Sequence, residues 1–413
     1  MQRSLVGSEM CIRDSNIRNV TKDVVWLGGD DRRLALFENV FPLPKGVSYN
    51  SYLLTDEKTV LLDTADETIA ERFFDNLEAA LKGRKLDYLV VNHMEPDHCS
   101  LLRGVLGRYP DATLVGNVKT FTMISNFFDF KDVKTLTVKE GDSLVTGKHT
   151  LKFYFAPMVH WPEVMVTYDE TDKILFSADA FGSFRSLDGN LFSDEVNYER
   201  DWLDEARRYY TNIVGKYGAM VQTALKKLSA LDIAYICPLH GLIWRGNFAY
   251  FLDKYDKWSR YEEESKGVII IYGSLYGHTA NAAEILASKL SENGVKDVRV
   301  YDASKTHVSE LISEIFRVKN VVLASPTYNA EIYTPMKNLI ADMKALAVQN
   351  KNFAIIENGS WAPAAKAQMT SELSALKNCT FEDISVTVRS SLKEEQLAQL
   401  EALAKSLAAK AKA

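Results

Sequence analysis

The sequence predicts an α/β protein in two parts: two sheets sandwiched between helices, followed by a doubly wound, five-stranded parallel sheet. Three observations predict this. As far as about Ser259, short strand-like apolar runs mix with helically spaced ones. From Val268 onward, strand and helix alternate cleanly. Between the two textures lies Tyr250–Gly267, charged and aromatic, which suits a closing helix and a linker. At 413 residues the chain is also too long for one ordinary domain. The expected division is 16–263 and 264–413.

In the first part, strands are expected at Val24–Leu27, Leu34–Phe37, Tyr52–Leu54 and Val60–Leu62. Ile69, Phe73, Leu77 and Leu81 then recur at helical spacing. Further strands are expected at Tyr88–Val91, Thr113–Val115, Leu151–Phe155, Ile174–Phe176 and Ile233–Ile236. In the second part the strands read Val268–Tyr272, Asp297–Tyr301, Asn320–Ala324, Phe353–Glu357 and Ile384–Val388. The helices between and after them read Thr279–Leu290, Val308–Phe316, Thr334–Leu346, Ala364–Leu376 and Leu392–Ala411. Parallel strands joined by crossover helices place a ligand at the carboxyl ends of the strands.

Composition excludes several classes of function. A net charge of −6 argues against nucleic acid as a partner. No apolar run approaches the roughly 18 residues of a membrane-spanning helix. The four cysteines, Cys11, Cys99, Cys237 and Cys379, form no Cys-x-x-Cys pair, which argues against a zinc ribbon, a rubredoxin-like iron site or a disulfide framework. A reducing cytoplasm is the natural setting. Met1–Ser15 has the pattern of neither a secretory signal nor a transit peptide, and it reads as a non-native leader with the protein proper starting near Asn16.

Chemistry concentrates in Asn92–His98, where His93, Glu95, Asp97 and His98 follow the strand Tyr88–Val91 within six residues. Imidazole and carboxylate donors without a thiolate favour iron, manganese or zinc. Four candidate ligands are too many for one typical catalytic zinc, so two metals are expected. His160, Asp179 and His240 are the downstream candidates, and His93, Asp179 and His240 each stand just past the end of a strand. Alone, His160 or His240 reads as an ordinary histidine and Asp179 as a turn or cap residue. A carboxylate at Asp179 is placed to bridge two metals. His149 and His307 have no such neighbours and are expected at the surface.

The His-x-Glu-x-Asp-His loop resembles that of the metallo-β-lactamase fold, whose hydrolases carry His-x-His-x-Asp-His. Glu95 in place of the second histidine is the departure found in flavodiiron proteins. The spacing matches as well: 61 residues lie between His98 and His160, 18 between His160 and Asp179, and 60 between Asp179 and His240. The resemblance implies a metallo-β-lactamase-like αββα sandwich holding two non-haem irons. It assigns His93, Glu95 and His160 to one iron, Asp97 and His240 to the other, and Asp179 as the bridge. His98 is a ligand or a near neighbour, and Tyr209 or Tyr210 would place a phenol near the irons. Glu95 suits redox chemistry, because a hard anionic oxygen stabilises the ferric state where an imidazole would not.

The second part opens with a strand that runs into Ser274-Leu275-Tyr276-Gly277-His278-Thr279 and then a helix. Backbone N–H groups and the hydroxyls of Ser274 and Thr279 can cradle a phosphate there. No Gly-x-Gly-x-x-Gly and no Gly-Lys-Ser/Thr is present, so a monophosphate fits better than a dinucleotide or triphosphate. Two later loops, Pro326-Thr327-Tyr328-Asn329-Ala330 and Asn358-Gly359-Ser360-Trp361, follow later strands. Together the three loops resemble those of flavodoxin, which binds flavin mononucleotide (FMN). Glu357-Asn358-Gly359 is a variant wording of the third loop.

A flavin domain fused to a di-iron domain implies electron transfer from FMN to iron. The resemblance implies reduction of dioxygen to water or of nitric oxide to nitrous oxide. It further implies a head-to-tail homodimer, or a dimer of such dimers. The domain order resembles the two-domain class, for which an external donor is expected: a rubredoxin-like protein or a reduced deazaflavin coenzyme. The reading from another class is a zinc hydrolase of the metallo-β-lactamase fold fused to a flavodoxin; Glu95 and the flavin loops argue against it.

Overall fold

A computed structural model describes residues 15–412. The leader expected over residues 1–15 therefore lies, Ser15 apart, outside the described residues. The chain divides into two compact units. One runs up to Ala206 and includes Thr223–Ala249; the other comprises Arg207–Gln222 and the chain from Tyr250 onward.

The first unit is built on two sheets. The first has seven strands in the order Arg18–Asn19, Val24–Trp26, Tyr52–Thr55, Thr59–Leu62, Tyr88–Val90, Thr113–Gly116 and Thr135–Thr137. Pairing is antiparallel up to Thr59–Leu62 and parallel beyond it. The second sheet has six: Ser143–Val145, Thr150–Phe155, Met165–Asp169, Ile174–Phe176, Tyr235–Cys237 and Trp244–Arg245. The sheets meet face to face, with the Tyr52 and Phe176 rings 5.4 Å apart. Strands buried on both faces read as continuous apolar runs, as Val60–Leu62 does.

Helix Ala70–Leu81 shows how sequence builds this layer. Phe73, Leu77 and Leu81 fall four residues apart, so one face is buried. A short 3-10 turn, Glu67–Ile69, leads in, with the Asp66 carboxylate capping Thr68 N at 2.8 Å. Lys82 and Gly83 then turn left-handed, at φ +52° and +80°, and stop the helix. Burying a side chain such as Phe73 contributes about 1.5–3 kcal/mol, and Phe73→Ala would cost about 3–5 kcal/mol.

The second unit carries a parallel sheet in the order Val298–Asp302, Val268–Tyr272, Asn320–Tyr328, Asn352–Asn358. The fifth position is shared by two short strands, Thr380–Phe381 and Val386–Val388, both parallel to Asn352–Asn358. The strand expected at Ile384–Val388 therefore begins two residues later, and a separate short strand, Thr380–Phe381, precedes it. Glu382 N still donates to Phe353 O at 2.8 Å, and its carboxylate is taken up by Lys410, Ser406 and Asn352. Helices His278–Glu292, Val308–Arg317, Thr334–Ala345, Ala365–Leu373 and Glu394–Lys412 cover the two faces, each over its own apolar cluster. Arg207–Gln222 joins this unit through a buried Arg207–Glu264 ion pair of 2.7 Å and through Tyr210, whose ring lies 4.7 Å from that of Tyr255.

Candidate metal centre and flavin cleft

All seven candidate ligands converge. His93, Glu95, His160 and Asp179 form one group, and Asp97, His98 and His240 another. His93, His98, Asp179 and His240 are fully buried, and the other three are nearly so. Asp179 faces both groups. Its Oδ2 lies 3.0 Å from His160 Nε2 and 3.5 Å from His93 Nε2, while its Oδ1 lies 3.1 Å from His98 Nε2 and 3.8 Å from His240 Nε2. Glu95 Oε2 completes the first group at 2.9 Å from His160 Nε2. Asp97 Oδ2 completes the second at 3.1 Å from His240 Nε2. The position of His98, left open by the sequence, is in the second group: its Nε2 is 3.1 Å from His240 Nε2.

Hydrogen bonds outside the pocket aim these rings. His240 Nδ1 donates to the Ser48 carbonyl at 2.8 Å, which leaves a lone pair on Nε2 of the neutral ring. His93 Nδ1 donates to Glu163 Oε1 at 2.9 Å, with the same result; that oxygen also accepts Met94 N at 2.9 Å. Nitrogen lone pairs then face carboxylate oxygens across about 3 Å, an arrangement that needs a proton or a cation between them. Asp97 Oδ1 and Oδ2 and Asp179 Oδ1 are buried and accept no hydrogen bond among the described residues. Donor–donor separations of 2.9–3.8 Å are the edges expected around ions with ligand bonds of about 2.1 Å. The residues fit two metal ions.

Without metal, protons take that place. Burial works against a charged ring, yet hydrogen bonds to Asp179 and Glu95 push His160 up to about 9. His240 is likewise opposed by burial and raised to about 9 by Asp97 and Asp179. Burial would raise Asp179, but the His98 and His93 charges hold it well below the ordinary carboxylate range. Metal binding must therefore release protons.

Several side chains that shape the pocket escaped the sequence reading. Asp63 accepts Asn92 N at 2.7 Å, Asn92 Nδ2 at 2.8 Å and His93 N at 3.2 Å, holding the ligand loop against its neighbouring strand. It is the first residue past the strand Thr59–Leu62, whereas His93, Asp179 and His240 are each the third past theirs. Glu163 falls three residues after His160, a spacing that alone carries little information. Ser48 acts through its carbonyl, so no side chain announced it. The fourth is Glu38, at the tip of the hairpin Leu36–Phe37 and Phe41–Pro42, whose turn residues Glu38 and Asn39 are left-handed at φ +48° and +56°. Burial of its carboxyl and a hydrogen bond to Glu95 push Glu38 up to about 8, although the residue as a whole is exposed. The Phe37 ring stands 5.5 Å from His240, and Trp161 5.4 Å from His93, forming apolar walls.

Two expectations of surface histidines are corrected. His149 is fully buried because its Nδ1 meets Asp169 Oδ2 at 2.8 Å and its Nε2 meets Asp23 Oδ2 at 3.3 Å. His307 is half-buried and caps the helix Val308–Arg317 through Ser309 N. Tyr209 and Tyr210 are buried in the second unit, whereas the seven candidate ligands belong to the first.

In the second unit, a cleft of about 680 Å³ is lined by every predicted flavin residue except Gly277, and by Ala362 and Ser390 besides. Gly277, at φ +90°, instead makes the turn into the helix His278–Glu292. Ser274 Oγ accepts Gly277 N at 3.1 Å and Ala280 N at 3.3 Å, the donors that a phosphate oxygen would take. No Lys or Arg lines the cleft among the described residues, so an anion there would be held by backbone dipoles and hydroxyls. Tyr276 and Trp361 are 91% and 88% exposed, leaving aromatic faces for a flat ring. The cleft fits FMN.

Comparison with known proteins agrees with both sites. Residues 47–241 match the ODP family beta lactamase, and residues 270–395 match the flavodoxin family. An anaerobic nitric oxide reductase flavorubredoxin of Vibrio vulnificus is 30% identical over 83% of this chain and 70% of its own. An uncharacterised protein of Methanocaldococcus jannaschii is 32% identical over 95% of this chain and 98% of its own. Rubredoxin oxygen:oxidoreductase from Desulfovibrio gigas superposes with a TM-score of 0.89 at 27% identity, covering 96% of this chain and 98% of that one. The chain belongs to the flavodiiron protein family. The flavodiiron protein of Giardia intestinalis superposes over 97% of both chains, with a TM-score of 0.91 at 26% identity. The flavodiiron fold thus accounts for both units. No helix among the described residues is long and apolar enough to cross a membrane.

Proposed function

We propose that this protein is a flavodiiron oxidoreductase, in which electrons enter at FMN and pass to a non-haem di-iron centre that reduces dioxygen to water, nitric oxide to nitrous oxide, or both. The observation that carries the reading is Asp179, whose two carboxylate oxygens each face a separate trio of buried ligands. In this reading His93, Glu95 and His160 hold one iron and Asp97, His98 and His240 hold the other, with Asp179 between them. When bound, reduced FMN and two ferrous ions together supply the four electrons that take dioxygen to water. Glu163 and the Ser48 carbonyl orient His93 and His240, and Phe37 and Trp161 keep the pocket dry.

The same proposal includes a cytoplasmic setting, a head-to-tail homodimer and an external donor of the rubredoxin or reduced-deazaflavin kind. Both substrates are kept because the relatives point both ways: one is named for nitric oxide reduction and one for oxygen. The deciding experiment supplies each gas separately to the reduced, iron-loaded protein under anaerobic conditions and follows its consumption. Stoichiometric zinc without iron, accompanied by ester or thioester hydrolysis, would overturn the reading in favour of a hydrolase.

A further inference from the structure

We propose that Asn358 is a positioning residue for the flavin, holding the loop Gly359–Ala362 in place through the backbone of Ser390. The proposal rests on the FMN reading of the cleft. In the sequence, Asn358 reads as a flavin contact, but the structure commits its amide elsewhere. Nδ2 donates to Ser390 O at 3.0 Å, and Oδ1 accepts from Ser390 N at 3.1 Å. Both ends of one buried carboxamide are thereby satisfied by a single residue.

Neighbouring bonds extend this clamp. Gly359 N donates to Val388 O at 3.0 Å, and the Ser360 and Ser390 hydroxyls meet at 2.8 Å. Beneath them the Glu357 carboxylate accepts Thr387 Oγ1 at 2.9 Å and Lys366 N at 3.0 Å. Ser390 itself is left-handed at φ +62° and lines the cleft, so the turn after Val386–Val388 forms part of the flavin wall. Trp361, by contrast, is 88% exposed and packs against little. Hydrogen bonding to Ser390, more than apolar burial, therefore holds the loop ready for its ligand. A loop that must be ordered on binding weakens affinity. One that borders the ring unequally in its oxidised and reduced forms also shifts the flavin potential.

The test titrates full-length wild-type protein, Asn358→Ala and Asn358→Asp with FMN, measures the flavin midpoint potential of each, and follows thermal unfolding of the flavin-free forms. Asn358→Ala is expected to lower FMN affinity about tenfold and to move the potential, because two partly buried hydrogen bonds are lost. Asn358→Asp keeps the acceptor for Ser390 N but sets an anionic oxygen against Ser390 O, so it should lower affinity as well. If the alanine variant does not fold, the aspartate variant decides. Affinity within twofold of wild type and an unchanged potential, with only the unfolding temperature reduced, would overturn the proposal while leaving the flavin reading intact. A wild-type protein that binds no FMN would overturn both.

Discussion

The metal pocket and the flavin cleft solve opposite problems. In the pocket, four carboxylates (Glu95, Asp97, Asp179 and Glu163) and four imidazoles are almost entirely out of water. Isolated charges there would be prohibitively costly, so each group depends on the others and on the ions they surround. The cleft contains no carboxylate, lysine or arginine among its described lining residues, and its largest aromatics stand in solvent. It grips through many weak donors spread over three loops and the Ser390 turn. Buried charge makes one site brittle and specific, whereas open loops make the other graded and accessible. That division suits a chain that must keep metal chemistry dry while admitting electrons from outside.

The contrast is most exposed at Asp179. Because one carboxylate serves both trios, Asp179→Ala should leave the purified protein with less than about one iron per chain while FMN content stays normal. Full iron occupancy in that variant, by elemental analysis, would show that the two groups are independent. Glu163→Ala removes the acceptor that aims His93 and should weaken iron binding about 10–100-fold, without displacing FMN. A competition titration against a chelator checks it, and an unchanged affinity would mean that His93 needs no such support. On the flavin side the expected step is smaller. A Cβ on Gly359 would lie 2.7 Å from Pro363 Cα and push the third loop outward. Gly359→Ala should therefore reduce FMN affinity about tenfold and leave iron content untouched. Equal FMN affinity for variant and wild type would show the loop to be more yielding than its packing suggests.

The same difference explains what was legible in the sequence. The His, Glu and Asp donors of Asn92–His98 stand out by their crowding after one strand, while His160, Asp179 and His240 are singled out by the resemblance of that loop and its spacing, and the structure brings all seven together. The three flavin loops could be read as well, because the strand–helix alternation marked where a ligand would sit. What escaped detection acts through backbone or through partners distant in sequence. Ser48 contributes a carbonyl, Ser390 a peptide unit, and Glu163 is an ordinary glutamate until His93 is brought beside it from 70 residues away. Strands such as Met165–Asp169 and Trp244–Arg245 are not legible either, since Thr167 and Asp169 break the apolar run of the first and the second has only two residues. His149 was misplaced for a related reason: the carboxylates that bury it, Asp169 and Asp23, lie 20 and 126 residues away.

His149 also offers the finest test of the comparison, because it forms a third group of metal-type ligands with Asp23 and Asp172. Here the charges are already balanced. Lys148 Nζ lies 2.8 Å from Asp23 Oδ2, and both imidazole nitrogens point at carboxylates, as in a protonated ring. Burial disfavours that charge, but Asp169 and then Asp23 outweigh it and raise the pKa of His149 above its ordinary value. A group whose folded pKa is raised contributes stability that is fully present below its unfolded pKa, about 6.5, and that fades as pH rises through the folded value. His149→Gln should accordingly lower resistance to urea by about 1–3 kcal/mol below pH ~6.5, with the deficit shrinking on the alkaline side. Iron content should not change, because in this group lysine and imidazolium stand where the metal pocket requires ions. A deficit that is equal at acid and alkaline pH would mean that His149 is held neutral. A loss of bound metal in the variant would mean that the two kinds of cluster are less different than their charges indicate.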